Sequence, residues 1–356
     1  MKAVVRYGTP TLFGGYKYMD VPEPTVGDED LLLEVKASAI CGADLKHFGV
    51  QNGSDNFLSV WGHEFSGVVV KTGEKVVDWK VGDRLVSDNT GYVCGKCHAC
   101  SVGNFLTCPD KKSLGLGMDG GFTKYVKIPG QVLRVYKNCV FRIPDNVSFE
   151  EAALLDPISN AYMAVAQRSQ LLPGENVVIF GAGPLGLFSL QMAKLMGAAK
   201  VILVGLEVDR QFRFKVAEKL GATHLIVGDK EDASARIVDI VGRNEIPLII
   251  DCAGAPSVLK QALGIVRTNG QIVRIGMGYA PLEFSINDLS MKGITLTGHM
   301  AYNTVSWKNS INLLKNGMLD AKSMITHRLP LSQWEEGFKL MLGREAIKVI
   351  LTYDGD

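Results

Sequence analysis

Residues 176–186 read Asn-Val-Val-Ile-Phe-Gly-Ala-Gly-Pro-Leu-Gly, a short β-branched run that breaks into a glycine turn and passes into an apolar-periodic segment. The pattern is strand, turn and helix. Gly181, Gly183 and Gly186 stand at the three glycine positions of G-x-G-x-x-G, with Pro184 and Leu185 between the last two. The first glycine suits a tight turn, the second lets the backbone approach a pyrophosphate, and the third lets the helix pack close to the strand. A diphosphate at that turn would face a helix N-terminus, where unpaired N–H groups and the helix dipole favour negative charge. A glycine turn with no ligand is the plain alternative. The context favours a dinucleotide: Leu185, Phe188, Met192 and Leu195 share one helical face, and a second strand-like run, Val201–Val204, follows.

Outward from this turn, strands alternate with helical stretches between about Asn160 and Thr297: Val177–Phe180, Val201–Val204, His224–Val227, Leu248–Asp251, Gln271–Ile275 and Ile294–Thr297. Repeated βα units imply an α/β, doubly wound parallel sheet with helices on both faces, so its strands read as continuous apolar runs. Ligands of such sheets bind beyond the C-terminal strand ends. That edge would carry Gly181, Gly205, Cys252, Ala253, Ile275 and Gly276. On the N-terminal side the texture is different. Short alternating runs (Lys2–Arg6, Leu31–Val35) between Pro and Gly turns, and a strand-rich patch from Gly120 to Pro144, predict a β-rich region. On the C-terminal side, Gly298–Asp356 predicts helices near Val305–Lys315 and Leu331–Leu342 and a last strand, Ala346–Thr352.

Composition narrows the function. At 356 residues the chain has room for two domains with full cores. Basic and acidic residues balance at 38 to 37, which gives no electrostatic footprint for nucleic acid or an anionic membrane surface. No apolar run approaches the roughly 20 residues of a membrane span, and the start, MKAVVRYGTP, lacks a signal-peptide core, so a cytoplasmic location is expected. The seven cysteines are odd in number and four crowd between positions 94 and 108, which suggests metal binding in a reducing compartment.

Cys94, Cys97, Cys100 and Cys108 form C-x2-C-x2-C-x7-C. Four thiolates complete a tetrahedral zinc site with no position for water, hence structural; an iron–sulfur cluster is the competitor. A second constellation is Cys41-Gly42-Ala43-Asp44 followed by Gly62-His63-Glu64. Cys41, His63 and Glu64 are a donor set for a zinc with one open position, although a lone Cys is often a buried apolar residue and His-Glu an ordinary surface pair. Asp156 precedes Pro157, where the chain is expected to leave a helix, so it is either aimed from a helix end or is a simple cap.

These features, in this order, resemble the zinc-containing medium-chain dehydrogenase/reductase family over nearly the whole chain. The segments SDNTGYVCGKCHAC, LLDPISNAY, GPLGLFSLQMA, SINDL and GHMAYNTVSW are similar to its polyol branch, as in bacterial hexitol dehydrogenases. The resemblance implies a discontinuous, GroES-like catalytic zinc domain (1–155 and 298–356), an inserted Rossmann domain (156–297), and a cleft between them. It implies two zinc ions per chain. Cys41 and His63 would be ligands of the catalytic one, Glu64 a third ligand or one exchanging with water, and Asp156 a ligand reaching it directly or through water. Asp44 would orient His63. The implied reaction is oxidation of a secondary alcohol of a polyol to a ketose with hydride transfer to NAD, NADP being possible, in a homodimer or homotetramer.

Two departures stand out. Ala43 replaces the hydroxyl residue that normally relays the substrate proton, and Lys46, next to His47, occupies the place of a relay His. Lys46 is a candidate base, a contact to cofactor phosphate, or surface charge. At the end of the second Rossmann strand, Gly205 replaces the usual ribose-binding acid; Glu207 could serve instead, or Arg210 or Arg213 could bind a 2′-phosphate. Asn160, Trp61, His299 and Tyr302 are candidates for a polar substrate pocket. Alternative readings are a threonine-type amino-alcohol dehydrogenase and a non-catalytic dinucleotide sensor.

Overall fold

The computed structural model describes residues 1–8, 13–45 and 57–353, and divides into two compact units. The first comprises Met1–Asp156, Asn303–Gly317 and Ala321–Asp356; the second comprises Pro157–Tyr302 and Met318–Asp320. Asp156, expected in the Rossmann domain, stays with the first unit, and the division also differs from the sequence expectation at residues 298–302. These stay with the parallel sheet because Gly298 still pairs with Arg274 and His299 reaches Asn160. Met318–Asp320 joins the same unit, where Asp320 exchanges two backbone hydrogen bonds with the side-chain amide of Gln191.

The first unit is built mostly from antiparallel sheet, with Lys348–Thr352 and Ile325–Pro330 paired in parallel. Its seven-stranded sheet, counted among the described residues, runs Val140–Arg142, Arg84–Ser87, Glu64–Thr72, Leu31–Ala39, Lys348–Thr352 and Ile325–Pro330 in spatial order, with Tyr125–Ile128 also paired to Leu31–Ala39. Strand Leu31–Ala39 alternates buried and half-buried residues through Lys36, the signature of a strand with one face on the core. That core gathers Leu31, Leu33, Val35, Phe65, Val69 and Leu85. A second core, with Val4, Ile40, Trp61, Phe122, Trp334 and Phe338, lies under helix Trp334–Leu342. Ala39 pairs with both Glu64 and Ile350, so three strands run side by side where the first of them ends.

The second unit carries a six-stranded parallel sheet among the described residues: Asn176–Phe180, Lys200–Gly205, His224–Val227, Leu248–Asp251, Gln271–Arg274 and Thr295–Gly298. Counted along the chain, the spatial order is 3-2-1-4-5-6, the doubly wound arrangement whose ligand crevice opens at the strand C-termini. The central strands are apolar and buried through their middles (Val177, Val178, Ile179, Ile202, Ile249, Ile250), as helices on both faces require, with Asn176, Lys200 and Asp251 at their ends.

Pro157 does not end a helix. Helix Phe149–Ala153 stops at Leu154, and a new helix, Leu155–Tyr162, holds Asp156 and Pro157 in its first turn. Proline is tolerated there because N–H groups of a first turn have no intrahelical acceptor. Among the described residues, no helix is long and apolar enough to cross a membrane.

Candidate metal centres and dinucleotide turn

Strand register assembles the first site. Cys41 follows strand Leu31–Ala39, His63 and Glu64 stand at the start of the neighbouring strand, and the pairing of Ala39 with Glu64 brings them together. Donor atoms of Cys41, His63 and Glu64 all lie within 4.8 Å of one another. Asp44, fully buried, organises them. Its Oδ2 accepts from the Cys41 amide at 2.8 Å, and its Oδ1 accepts from Trp61 Nε1 at 2.7 Å. The same Oδ1 is 3.3 Å from His63 Nδ1, within reach but not aligned as a hydrogen bond. His63 thus turns Nδ1 toward Asp44, leaving Nε2 for a cation.

The electrostatics of the cluster ask for that cation. Burial, then the charge of Glu64, pushes the Cys41 thiol above its ordinary value. Burial likewise raises Glu64, against the pull of Lys348. Burial works to lower His63, but the Cys41 sulfur and Asp44 outweigh it and raise it well above the ordinary imidazole range. A divalent cation reverses this logic, since a thiol that ligates one is deprotonated outright. One soft sulfur, one imidazole and one carboxylate, with no fourth protein donor in the group among the described residues, fit a zinc that keeps an open position.

Asp156 is not brought into that group. Asn89, in the left-handed region (φ 57°), donates from Nδ2 to Asp156 Oδ2 at 3.0 Å. The Asp156 charge is nevertheless felt at Glu64 and Lys348. Ala43 lies half-buried in the short helix Gly42–Leu45 and offers no hydroxyl. Lys46 and His47 lie outside the described residues. Trp61 is a core residue whose indole supports Asp44, and Tyr302 is buried. His299 Nε2 and Asn160 Oδ1 are 3.2 Å apart within the second unit.

Two residues of this region escape sequence reasoning. Asn89 has no motif. For Lys348 the one signal in the sequence is a lone charge inside the apolar run 347–351, which does not name its partner. Its Nζ donates to both Glu64 oxygens, at 2.7 and 2.5 Å, and to the Ile40 carbonyl at 3.2 Å. Burial would lower the lysine, but Glu64 and then Cys41 outweigh it and hold its charge.

The second site also forms. The sulfurs of Cys94, Cys97, Cys100 and Cys108 lie within 4.8 Å of one another, and none is disulfide-bonded. Backbone amides point at sulfur, Cys94 N to Cys108 Sγ at 3.5 Å and Cys97 N to Cys94 Sγ at 3.4 Å. Amides of Lys96 and Cys97 pull the Cys94 thiol down to about 7. Four thiols with amide donors fit a closed tetrahedral metal.

In the second unit the glycine turn is shaped for a phosphate. Gly181 has φ 105°, which a side chain would strain, and a Cβ on Gly186 would stand 1.8 Å from the Gly181 carbonyl. Gly183 caps helix Pro184–Leu195 without any side chain, and a Cβ placed on it meets nothing within 4 Å. The loops after the neighbouring strands converge there: a Gly181 Cβ would be 3.2 Å from Ala253 N, and a Gly276 Cβ 2.3 Å from Gly254 N. Cys252, Ala253, Ile275 and Gly276 therefore sit together at the strand ends, shaped by Asp251, whose Oδ1 accepts from Ala253 and Gly254 amides at 3.0 and 2.8 Å. At the second strand, Glu207 and Arg210 form an exposed pair at 2.9 Å. Arg213 is not free for a 2′-phosphate, because it is buried and paired with Asp209 at 3.1 Å.

Residues 184–316 match the zinc-binding dehydrogenase family, and residues 27–138 match the alcohol dehydrogenase GroES-like domain. The chain belongs to the zinc-type alcohol dehydrogenases of the medium-chain dehydrogenase/reductase family, and its activity class is that of an NAD(P)-dependent alcohol dehydrogenase. It is 53% identical to the uncharacterized zinc-type alcohol dehydrogenase-like protein YdjL of Escherichia coli K12, over 100% of both chains. It is 34% identical to an L-threonine 3-dehydrogenase of Bacillus velezensis (99% of this chain, 98% of that one) and 32% to a sorbitol dehydrogenase of Halalkalibacterium halodurans (99% of each). Among solved structures it is similar to a protein of Sinorhizobium meliloti 1021 described as a zinc-binding dehydrogenase and bound to NADP (27% identity, TM-score 0.83, 99% of each chain). It is similar also to the alcohol dehydrogenase rspB of Escherichia coli CFT073 complexed with NADH (26%, TM-score 0.84, 99% of each).

Proposed function

We propose that this enzyme interconverts a secondary alcohol of a hexitol-like sugar alcohol and the corresponding ketose, with NAD as hydride acceptor. The observation that carries the reading is the Cys41, His63, Glu64 donor set, locked through Asp44, in a chain similar to sorbitol dehydrogenase over its length. Zinc held by Cys41, His63 and Glu64 would supply Lewis acidity toward the alcohol oxygen, and the nicotinamide would be the hydride acceptor. The protein does the rest by placement. Cys41 and Glu64 contribute negative charge, His63 is oriented from behind by Asp44, and Asn89 fixes Asp156 as a nearby polar group. With Ala43 in place of a hydroxyl, the alcohol proton leaves by a route that does not use residue 43.

The four-cysteine lobe is read as a second, structural zinc site. NAD rather than NADP is favoured by the exposed Glu207 at the second strand end and by the engagement of Arg213 with Asp209. Strand Thr295–Gly298 lies at the sheet edge, and Met277, Tyr279, Met291 and Met300 nearby are exposed, which supports a homodimer or homotetramer. A cytoplasmic setting fits seven cysteines free of disulfides. The test is a panel of hexitols and L-threonine with NAD and NADP, following reduced nicotinamide. Reduction with a hexitol and not with threonine is expected. The second reading, an amino-alcohol dehydrogenase, is favoured by the 34% identity to an L-threonine 3-dehydrogenase and predicts the reverse.

A further inference from the structure

Lys348 interrupts an apolar strand, with Ile347 before it and Val349, Ile350 and Leu351 after it, and its side chain is 1% exposed. A buried ammonium is costly unless its charge and donors are matched. Here they are matched completely. An ammonium has three N–H groups, and these go to the two Glu64 oxygens, at 2.7 and 2.5 Å, and to the Ile40 carbonyl at 3.2 Å. The near-equal distances place Nζ across the outer edge of the carboxylate, between its two oxygens. That edge is the one through which a carboxylate grips a metal with both oxygens. With Nζ on it, Glu64 can meet a cation at the Cys41–His63 side through one oxygen only.

We propose that Lys348 is a positioning residue that restricts Glu64 to single-oxygen coordination and so keeps a position of the metal open. The arrangement also sets the charge of the buried group. Thiolate, the Glu64 and Asp44 carboxylates and the ammonium sum to two negative charges, so a divalent ion would leave the buried group neutral. Without the lysine the carboxylate would fill two positions and the buried group would keep one uncompensated negative charge. This inference rests on the zinc reading of the Cys41 site.

The experiment uses the full-length protein with cobalt(II) in place of zinc, whose visible bands weaken as coordination rises from four to five. The spectrum of this site is the difference between each protein and the same protein carrying Cys41→Ser. The expected result is that Lys348→Met loses visible intensity as the cobalt gains a fifth ligand atom. Lys348→Arg, whose planar fork can take both oxygens, should restore the original spectrum. A Lys348→Met protein that holds cobalt with unchanged bands would overturn the proposal. Should that variant fail to fold, Glu64→Gln is compared with Glu64→Gln/Lys348→Met, the double variant removing the buried ion pair as a unit. Equal spectra support the proposal, because the lysine then has no carboxylate to restrict, and unequal spectra overturn it. If the wild-type protein shows no Cys41-dependent cobalt bands at all, the zinc reading itself fails, a result distinct from the others.

Discussion

Asp44 shows how much one buried carboxylate can organise. Its two oxygens reach the Cys41 amide, the Trp61 indole and His63, so both the sulfur and the imidazole of the site are aimed by one side chain. Asp44→Asn keeps the shape but replaces an acceptor oxygen with a donor, and metal affinity at this site should fall about 10–100-fold, read by chelator competition. Unchanged affinity would show that the strands alone aim the ligands. His299 carries a pH signature of another kind. Burial, then Arg168, lowers it to about 4 from an ordinary 6.5, so the fold holds it neutral. A depressed histidine contributes stability above its unfolded value, lost as pH falls toward the folded one. Between pH 7 and pH 5 this group should cost about 2 kcal/mol, so His299→Gln should lose less stability over that interval than the parent, as read from urea midpoints. Equal losses would place the titration elsewhere.

At the level of elements, the glycine turn and the cysteine lobe make separate predictions. A Cβ on Gly186 would sit 1.8 Å from the Gly181 carbonyl. Gly186→Ala should therefore abolish NAD binding, measured by quenching of protein fluorescence, while leaving zinc content intact. Cys100→Ser opens the lobe, whose sulfurs pack against the Leu31, Phe65 and Val132 core. It should lose one zinc and lower Tm by roughly 10 °C. Both elements were legible from spacing alone, because glycine positions and cysteine intervals are local constraints. The six parallel strands were legible too, being continuous apolar runs, with ends differing by a residue. What escaped was long-range. Lys348 meets Glu64 across 284 positions of chain and Asn89 meets Asp156 across 67, and no local pattern encodes either pairing. The new helix at Leu155 was missed because proline disfavours a helix before it, yet is tolerated in a first turn.

For the whole molecule, the proposed function needs one chain to carry two metals with different tasks in one unit and a dinucleotide on the sheet of the other. The exposed edge strand is the proposed surface for assembly. Leu296→Asp, on strand Thr295–Gly298, should shift a dimer or tetramer toward smaller species in sedimentation, and an unchanged mass would put the interface elsewhere. The most direct test of the central claim is zinc per chain in protein purified without added metal, compared with Cys41→Ser and Cys94→Ser variants. The account predicts near two zinc ions in the parent and one in each variant, with dehydrogenase activity absent from Cys41→Ser. A single zinc that survives Cys41→Ser and disappears with Cys94→Ser would contradict it, leaving the Cys41, His63 and Glu64 cluster without the metal on which the proposed chemistry depends.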